Sequence, residues 1–180
     1  MDHEQRQVAS AARGDEDAFQ ALWSSHRDAV YRFACWVLQD IAAAEDVVQE
    51  CFLSLLDQSA RFDSGRASLR VFLLGIARNK CRSRWRKLAP EVEFEDESVG
   101  YDPKTLDCLA SEETAAILNA AVGKLPPFQR EALFLFEYEG LSIEEASVVA
   151  RVSVGTFKAR LHRGRGRLKR QLAWLVKEAS

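Results

Sequence analysis

The chain has 180 residues, 47% of them hydrophobic and 29% charged, with a formal net charge of −2. This length suits one ordinary domain or two small ones, with enough apolar content for a packed core. Met1-Asp2-His3-Glu4-Gln5-Arg6 leads into no apolar segment of signal-peptide type, and no run approaches the roughly 18 apolar residues of a membrane helix, so a cytoplasmic location is expected.

Turn signals are sparse, with 9 Gly and 4 Pro, and no short β-branched runs recur at strand spacing. An all-α protein is therefore predicted. Phe19, Leu22 and Trp23, then Val30, Phe33, Ala34 and Val37, recur at helical spacing. Asp40 can cap the next helix, whose apolar stripe is Ala44, Val47, Val48, Cys51, Phe52 and Leu55. Its opposite face carries Glu45, Asp46, Gln49, Glu50 and Ser54. A loop with Asp-Ser-Gly turn chemistry follows over residues 60–66. Ser68 then starts a long helix, apolar in its first half (Leu69, Phe72, Leu73, Ile76) and basic in its second. Pro90 ends it, and the text to about Asp107 shows no sustained period. The expected organisation is a helical bundle over 1–89, a flexible acidic linker over 90–108 and a helix-turn-helix domain over 109–180.

Charge is segregated along the chain. Residues 151–177 carry nine Lys/Arg and no acid, and residues 78–87 carry six cations without an acid. Residues 91–113 carry nine acids against Lys104 alone. Such separation distinguishes surfaces suited to phosphates from surfaces suited to a basic partner.

The most informative stretch runs from Leu125 to Leu172. A helix is predicted over Phe128 to Tyr138, broken by Glu139-Gly140-Leu141. Ser142 and Glu145 form a capping box for a short helix that turns Ile143, Ala146 and Val149 inward. Ala150-Arg151-Val152 is the turn, and Ser153 caps a second helix with Val154, Phe157, Leu161, Leu168 and Leu172 toward the core. A capped short helix, a tight turn and a purely basic second helix make a helix-turn-helix that enters the major groove by the second helix's N-terminal end. Lys158, Ala159, His162 and Arg163 face outward there. Thr156, Arg160 and Arg165 suit phosphates, and Ser153 and Gly155 leave the helix N-terminus open to one.

Enzymatic chemistry is not expected. His3, His26 and His162 lie far apart, and Cys35, Cys51, Cys81 and Cys108 are irregularly spaced, so free thiols are predicted with no metal site and no cofactor. No Gly-rich phosphate loop occurs, and the adjacent carboxylates Glu45-Asp46 and Glu144-Glu145 point to different helix sides.

Leu125-Pro126, Gln129-Arg130, the run 139–146 and the run 155–163 resemble region 4 of extracytoplasmic-function (ECF) RNA polymerase sigma factors. The run 44–53, with Phe72-Leu73 and Ile76-Ala77-Arg78-Asn79, resembles their region 2. The resemblance implies a sigma factor that binds core RNA polymerase and promoter DNA, with an anti-sigma protein as a further partner. It places the core contact on Asp46, Gln49, Glu50, Phe52 and Leu53. It places the −10 contact on the loop residues Arg61, Phe62 and Asp63 and on Arg78, Asn79, Lys80, Arg82, Arg84 and Arg86, with the loop taking an unstacked base. Contact with the −35 duplex falls to the second helix of the C-terminal motif. The chain departs from the family's common pattern at Phe72, Ser83, Phe157, Ala159 and Gly164, where members carry Trp, Asp, Val, Ser and Ala.

Three other readings compete. A conventional helix-turn-helix regulator would bind duplex DNA without polymerase, but it leaves the N-terminal half without a role. A recombinase or nuclease lacks its catalytic constellation, and a helical adaptor would not show the steep salt dependence of phosphate binding.

Overall fold

The computed structural model describes residues 2–88 and 113–178. The acidic stretch expected as a linker lies outside the described residues. Eight α-helices occur among the described residues, without a strand: α1 (His3–Ala12), α2 (Glu16–Leu38), α3 (Ile41–Asp57), α4 (Leu69–Leu88), α5 (Glu113–Gly123), α6 (Pro127–Leu133), α7 (Ile143–Ala150) and α8 (Val154–Glu178). A 3₁₀ turn, Ser59–Arg61, precedes the loop into α4.

Aspartates start the first three helices. Asp2 accepts from the His3 amide, Asp15 from Ala18 and, as expected, Asp40 from Ala43 at 3.0 Å. Gln39, left-handed at φ 56°, ends α2 and turns the chain into α3. Helix α2 packs on both α3 and α4, and α1 lies across α2 and α3. Val30, Phe33, Ala34 and Val37 of α2 meet the stripe Ala44, Val47, Val48, Cys51 and Leu55 of α3, with Leu69, Leu73, Leu74 and Ala77 of α4 closing the core. Helix α8 packs on α6 and α7.

The helix expected over Phe128 to Tyr138 forms without a gap but changes pitch within it. Helix α6 ends at Leu133, and Phe134–Tyr138 form a π-helical turn in which the Glu139 amide donates to the Phe134 carbonyl at 2.9 Å. The wider turn keeps both Phe134 and Leu135 fully buried. Gly140, at φ 68°, supplies the left-handed residue that ends it.

The N-terminal and C-terminal helices share one hydrophobic core. Phe33 meets Phe134 edge-on at 5.5 Å, and Trp36 packs on Phe134 at 5.7 Å. The Trp36 indole N–H donates to the Arg130 carbonyl at 3.0 Å. Polar links reinforce this seam: Arg70 pairs with Glu139, and the Arg78 Nε–H donates to the Glu131 carboxylate at 2.9 Å.

Candidate nucleic-acid interface

The helix-turn-helix is built from local signals. The Ser142 hydroxyl accepts from the Glu145 amide at 3.1 Å, and the Glu145 carboxylate accepts from the Ser142 amide at 3.0 Å, completing the predicted capping box. Arg151 ends α7 in the left-handed region, φ 53°. The Ser153 hydroxyl accepts from the Thr156 amide at 3.1 Å, capping α8. Ala146, Val149, Ala150, Phe157 and Leu161 are buried between the helices. That packing fixes the opposite side of α8 outward: Ser153, Gly155, Thr156, Lys158, His162, Arg163 and Arg165 are exposed, and Ala159 is half-buried.

Two cations of α8 are engaged within the chain. Arg160 lies over the Phe128 ring at 4.4 Å and approaches Glu131 at 3.9 Å, and burial lowers its pKa. Arg165 pairs with Glu137 and lies over Phe136 at 5.3 Å. Gly164 faces the core, where a Cβ would stand 3.2 Å from a Leu133 methyl and 3.4 Å from the Gln129 Cβ. An alanine at this position would therefore crowd Leu133.

The basic half of α4 has a different setting. Arg78 is 4% exposed and Glu131 3%, so the expected DNA contact Arg78 does not reach the surface in this arrangement. Burial drives the Glu131 carboxyl up, opposed by Arg78 and Arg160. Arg84 is bidentate on Glu50, at 2.6 and 3.3 Å, which holds the Glu50 carboxyl below its ordinary range. A residue expected on DNA and one expected on polymerase thus bind each other. Trp85 packs edge-on against Phe128 at 5.7 Å. Asn79, Lys80 and Arg82 are half-buried and Arg86 is exposed.

In the loop before α4, Arg61 and Asp63 are exposed, while Phe62 is buried against Phe72 at 5.4 Å. The Asp63 carboxylate accepts from the Gly65 amide at 2.9 Å, closing the Asp-Ser-Gly turn. Sequence reasoning missed the groups that hold this loop from afar, Glu4 and Gln5 on α1. Nothing in their spacing signals a partner more than fifty residues away.

On α3, Glu45, Asp46 and Gln49 are exposed and Leu53 is 63% exposed. Phe52 is buried, and with Phe19 and Trp23 it floors a shallow groove rimmed by Gln49 and Leu53. Trp23 and Phe52 ring centroids are 4.8 Å apart. Buried thiols do not add chemistry: Cys51 is pushed up to about 12 and Cys81 is raised as well, both by burial.

Residues 22–91 match the family described as sigma-70 region 2, and residues 115–168 match sigma-70 region 4. The chain is 38% identical to the ECF RNA polymerase sigma factor EcfG of Rhodopseudomonas palustris, covering 69% of this chain and 68% of that one. It is 32% identical to the probable RNA polymerase sigma-C factor of Mycobacterium bovis, over 88% of this chain and 85% of the relative. The sigma factor RpoE of Bartonella quintana, solved with the anti-sigma factor NepR, superposes with a TM-score of 0.67 at 27% identity, over 86% of this chain and 96% of that one. The all-helical fold, the capped helix-turn-helix and these matches agree, and the chain belongs to the ECF RNA polymerase sigma factors.

Proposed function

We propose that this sigma factor divides promoter recognition among three surfaces. The exposed face of α3, with Asp46, Gln49 and Leu53 beside the Phe52 groove, holds core polymerase. Carboxylates beside an apolar groove suit a basic, partly apolar partner. The loop with Arg61 and Asp63, and the basic half of α4, take the melted −10 strand. The N-terminal half of α8 reads the −35 duplex through Lys158, Ala159, His162 and Arg163, with Ser153, Gly155 and Thr156 against phosphate. The observation that carries this reading is the capped α8, whose buried Phe157 and Leu161 hold Lys158, His162 and Arg163 at the surface.

The packed seam adds a condition. Arg78 reaches a −10 strand only when α4 parts from α6 and α7, so the arrangement described is the closed one. A protein inhibitor that grips both halves in this packing keeps Arg78 covered, and an anti-sigma partner has that role. No described helix is long and apolar enough to cross a membrane; the proposed action on core polymerase is what supports a cytoplasmic location.

In vitro transcription with core polymerase on a pooled promoter library tests the assignment. Discrete starts that appear only when this protein is added are expected, and Asp46→Lys should remove them by weakening core binding while leaving the fold intact. Protection of duplex sites by the protein alone, with no new starts, would replace the reading with a conventional regulator.

A further inference from the structure

We infer that Gln5, with Glu4 beside it, positions the loop between Phe62 and Leu69 for single-strand recognition, making α1 a specificity element of this sigma factor. The inference rests on the proposed role of that loop at the −10 element and adds to it the groups that set the loop's shape. The Gln5 amide uses both ends. Its Nε2–H donates to the Phe62 carbonyl at 3.4 Å, and its Oε1 accepts from the Ser64 hydroxyl at 3.2 Å. The neighbouring Glu4 carboxylate accepts from the Leu69 amide at 3.1 Å, one of the first-turn amides of α4 that has no partner within its own helix. Consecutive residues of one helix therefore grip the loop where it enters and where it leaves.

Between those points the loop is tight. The Arg66 and Ala67 amides both donate to the Asp63 carbonyl, at 3.0 and 3.3 Å. Arg61, Asp63, Arg66 and Ser68 remain exposed along its outer edge. A base taken out of a stack is recognised only if its contacts are already in place, because ordering a loose loop at the moment of binding lowers affinity and blurs discrimination. Helix α1 is suited to hold the loop still. It is anchored through Val8 and Ala11, 1% and 5% exposed, and its N-terminus is capped by Asp2. The Gln5 bonds above go to the loop and not to that anchor, so they can be removed while the packing of α1 stays intact.

The test uses holoenzyme assembled from core polymerase and the full chain, bound to promoter fragments with a pre-melted, randomised −10 segment. Gln5→Ala is expected to lower the preference for the favoured −10 base by about tenfold, the effect of losing two neutral hydrogen bonds of a few-fold each. Affinity for core and for a −35 duplex should not move. Gln5→Glu keeps the acceptor for Ser64 and should recover part of the preference. Ser64→Ala should be non-additive with Gln5→Ala. An equal loss on every −10 sequence, or a parallel loss of core affinity, would make Gln5 merely structural and overturn the inference. Asp63→Ala separates the two levels. If it erases the −10 preference while Gln5→Ala does not, only the present inference falls; if it leaves the preference intact, the loop's proposed role falls with it.

Discussion

Helices α4 and α8 carry the two basic runs of the chain, yet the fold uses their cations differently. On α4, Arg70 pairs with Glu139, Arg78 with Glu131 and Arg84 with Glu50, and Trp85 packs on Phe128. On α8, Arg160 and Arg165 lean toward Glu131 and Glu137, but Lys158, His162 and Arg163 stand exposed at the capped end. Two of the six cations in the basic half of α4, Arg78 and Arg84, are taken up by acids of the same chain, whereas the capped end of α8 presents Lys158 and His162 on the face that would meet DNA. Charge counted along a sequence therefore measures the capacity to bind phosphate, whereas availability is set by which carboxylates the fold brings near.

The buried pair is the most sensitive point of this contrast. Replacing Glu131 with Ala leaves Arg78 charged in a site that excludes water, at a cost of about 3–5 kcal/mol. Opening the seam that α4 forms with α6 and α7 relieves that cost. Glu131→Ala should therefore lower stability in denaturant titrations and strengthen Arg78-dependent binding of a single-stranded −10 oligonucleotide by the free protein. The double change Arg78→Met with Glu131→Leu removes both charges and should restore most of the stability. Lost stability without any gain in strand binding would mean that Arg78 is a structural residue only.

On the open helix the expected effects lie in binding. Arg163→Ala should weaken −35 duplex recognition by about 1–3 kcal/mol. Unaltered initiation on every promoter would show that the DNA-facing side of α8 has been misplaced.

The difference in legibility between these helices has a physical origin. The helix-turn-helix is readable because its determinants are local: Ser142 and Glu145 are three residues apart, as are Ser153 and Thr156, and the side of α8 left outward follows from Phe157 and Leu161. The Asp40 cap and the stripe of α3 were legible for the same reason. Arg78 with Glu131, Trp36 with Arg130 and Gln5 with Phe62 join residues 53, 94 and 57 positions apart, and no periodicity encodes such meetings. The π turn at Phe134 was also invisible. Its residues have ordinary helical character, and the extra residue in the turn is accommodated by packing Phe134 against Phe33 and Trp36.

Gly164 sharpens the comparison from inside α8. Alanine in place of a mid-helix glycine ordinarily gains about 1 kcal/mol. Here the new methyl meets Leu133 at 3.2 Å, and overpacking of this kind costs about 1–3 kcal/mol. Gly164→Ala should therefore lower stability by about 1 kcal/mol, and adding Leu133→Val should recover most of it. A stabilised single variant would show that Leu133 has room to move.

The smallest effect belongs to the pair that ties α3 to α4. Arg84 holds the Glu50 carboxyl below its ordinary value of 4.5 chiefly through their hydrogen bonds. A carboxylate depressed in the folded state contributes stability that is fully present above the ordinary value and is lost as pH falls through the depressed one. Both side chains retain solvent contact, 45% for Glu50 and 21% for Arg84, so the contribution is under about 1 kcal/mol. Arg84→Gln should then be slightly less stable than the parent at neutral pH, and the two curves should converge as the solution is acidified below 4.5. A gap that persists into strong acid would mean that Arg84 supports α4 through the packing of its stem rather than through its charge. The same variant also frees Glu50 on the proposed polymerase surface. Its affinity for core therefore reports whether the carboxylate is more useful to the partner paired or bare.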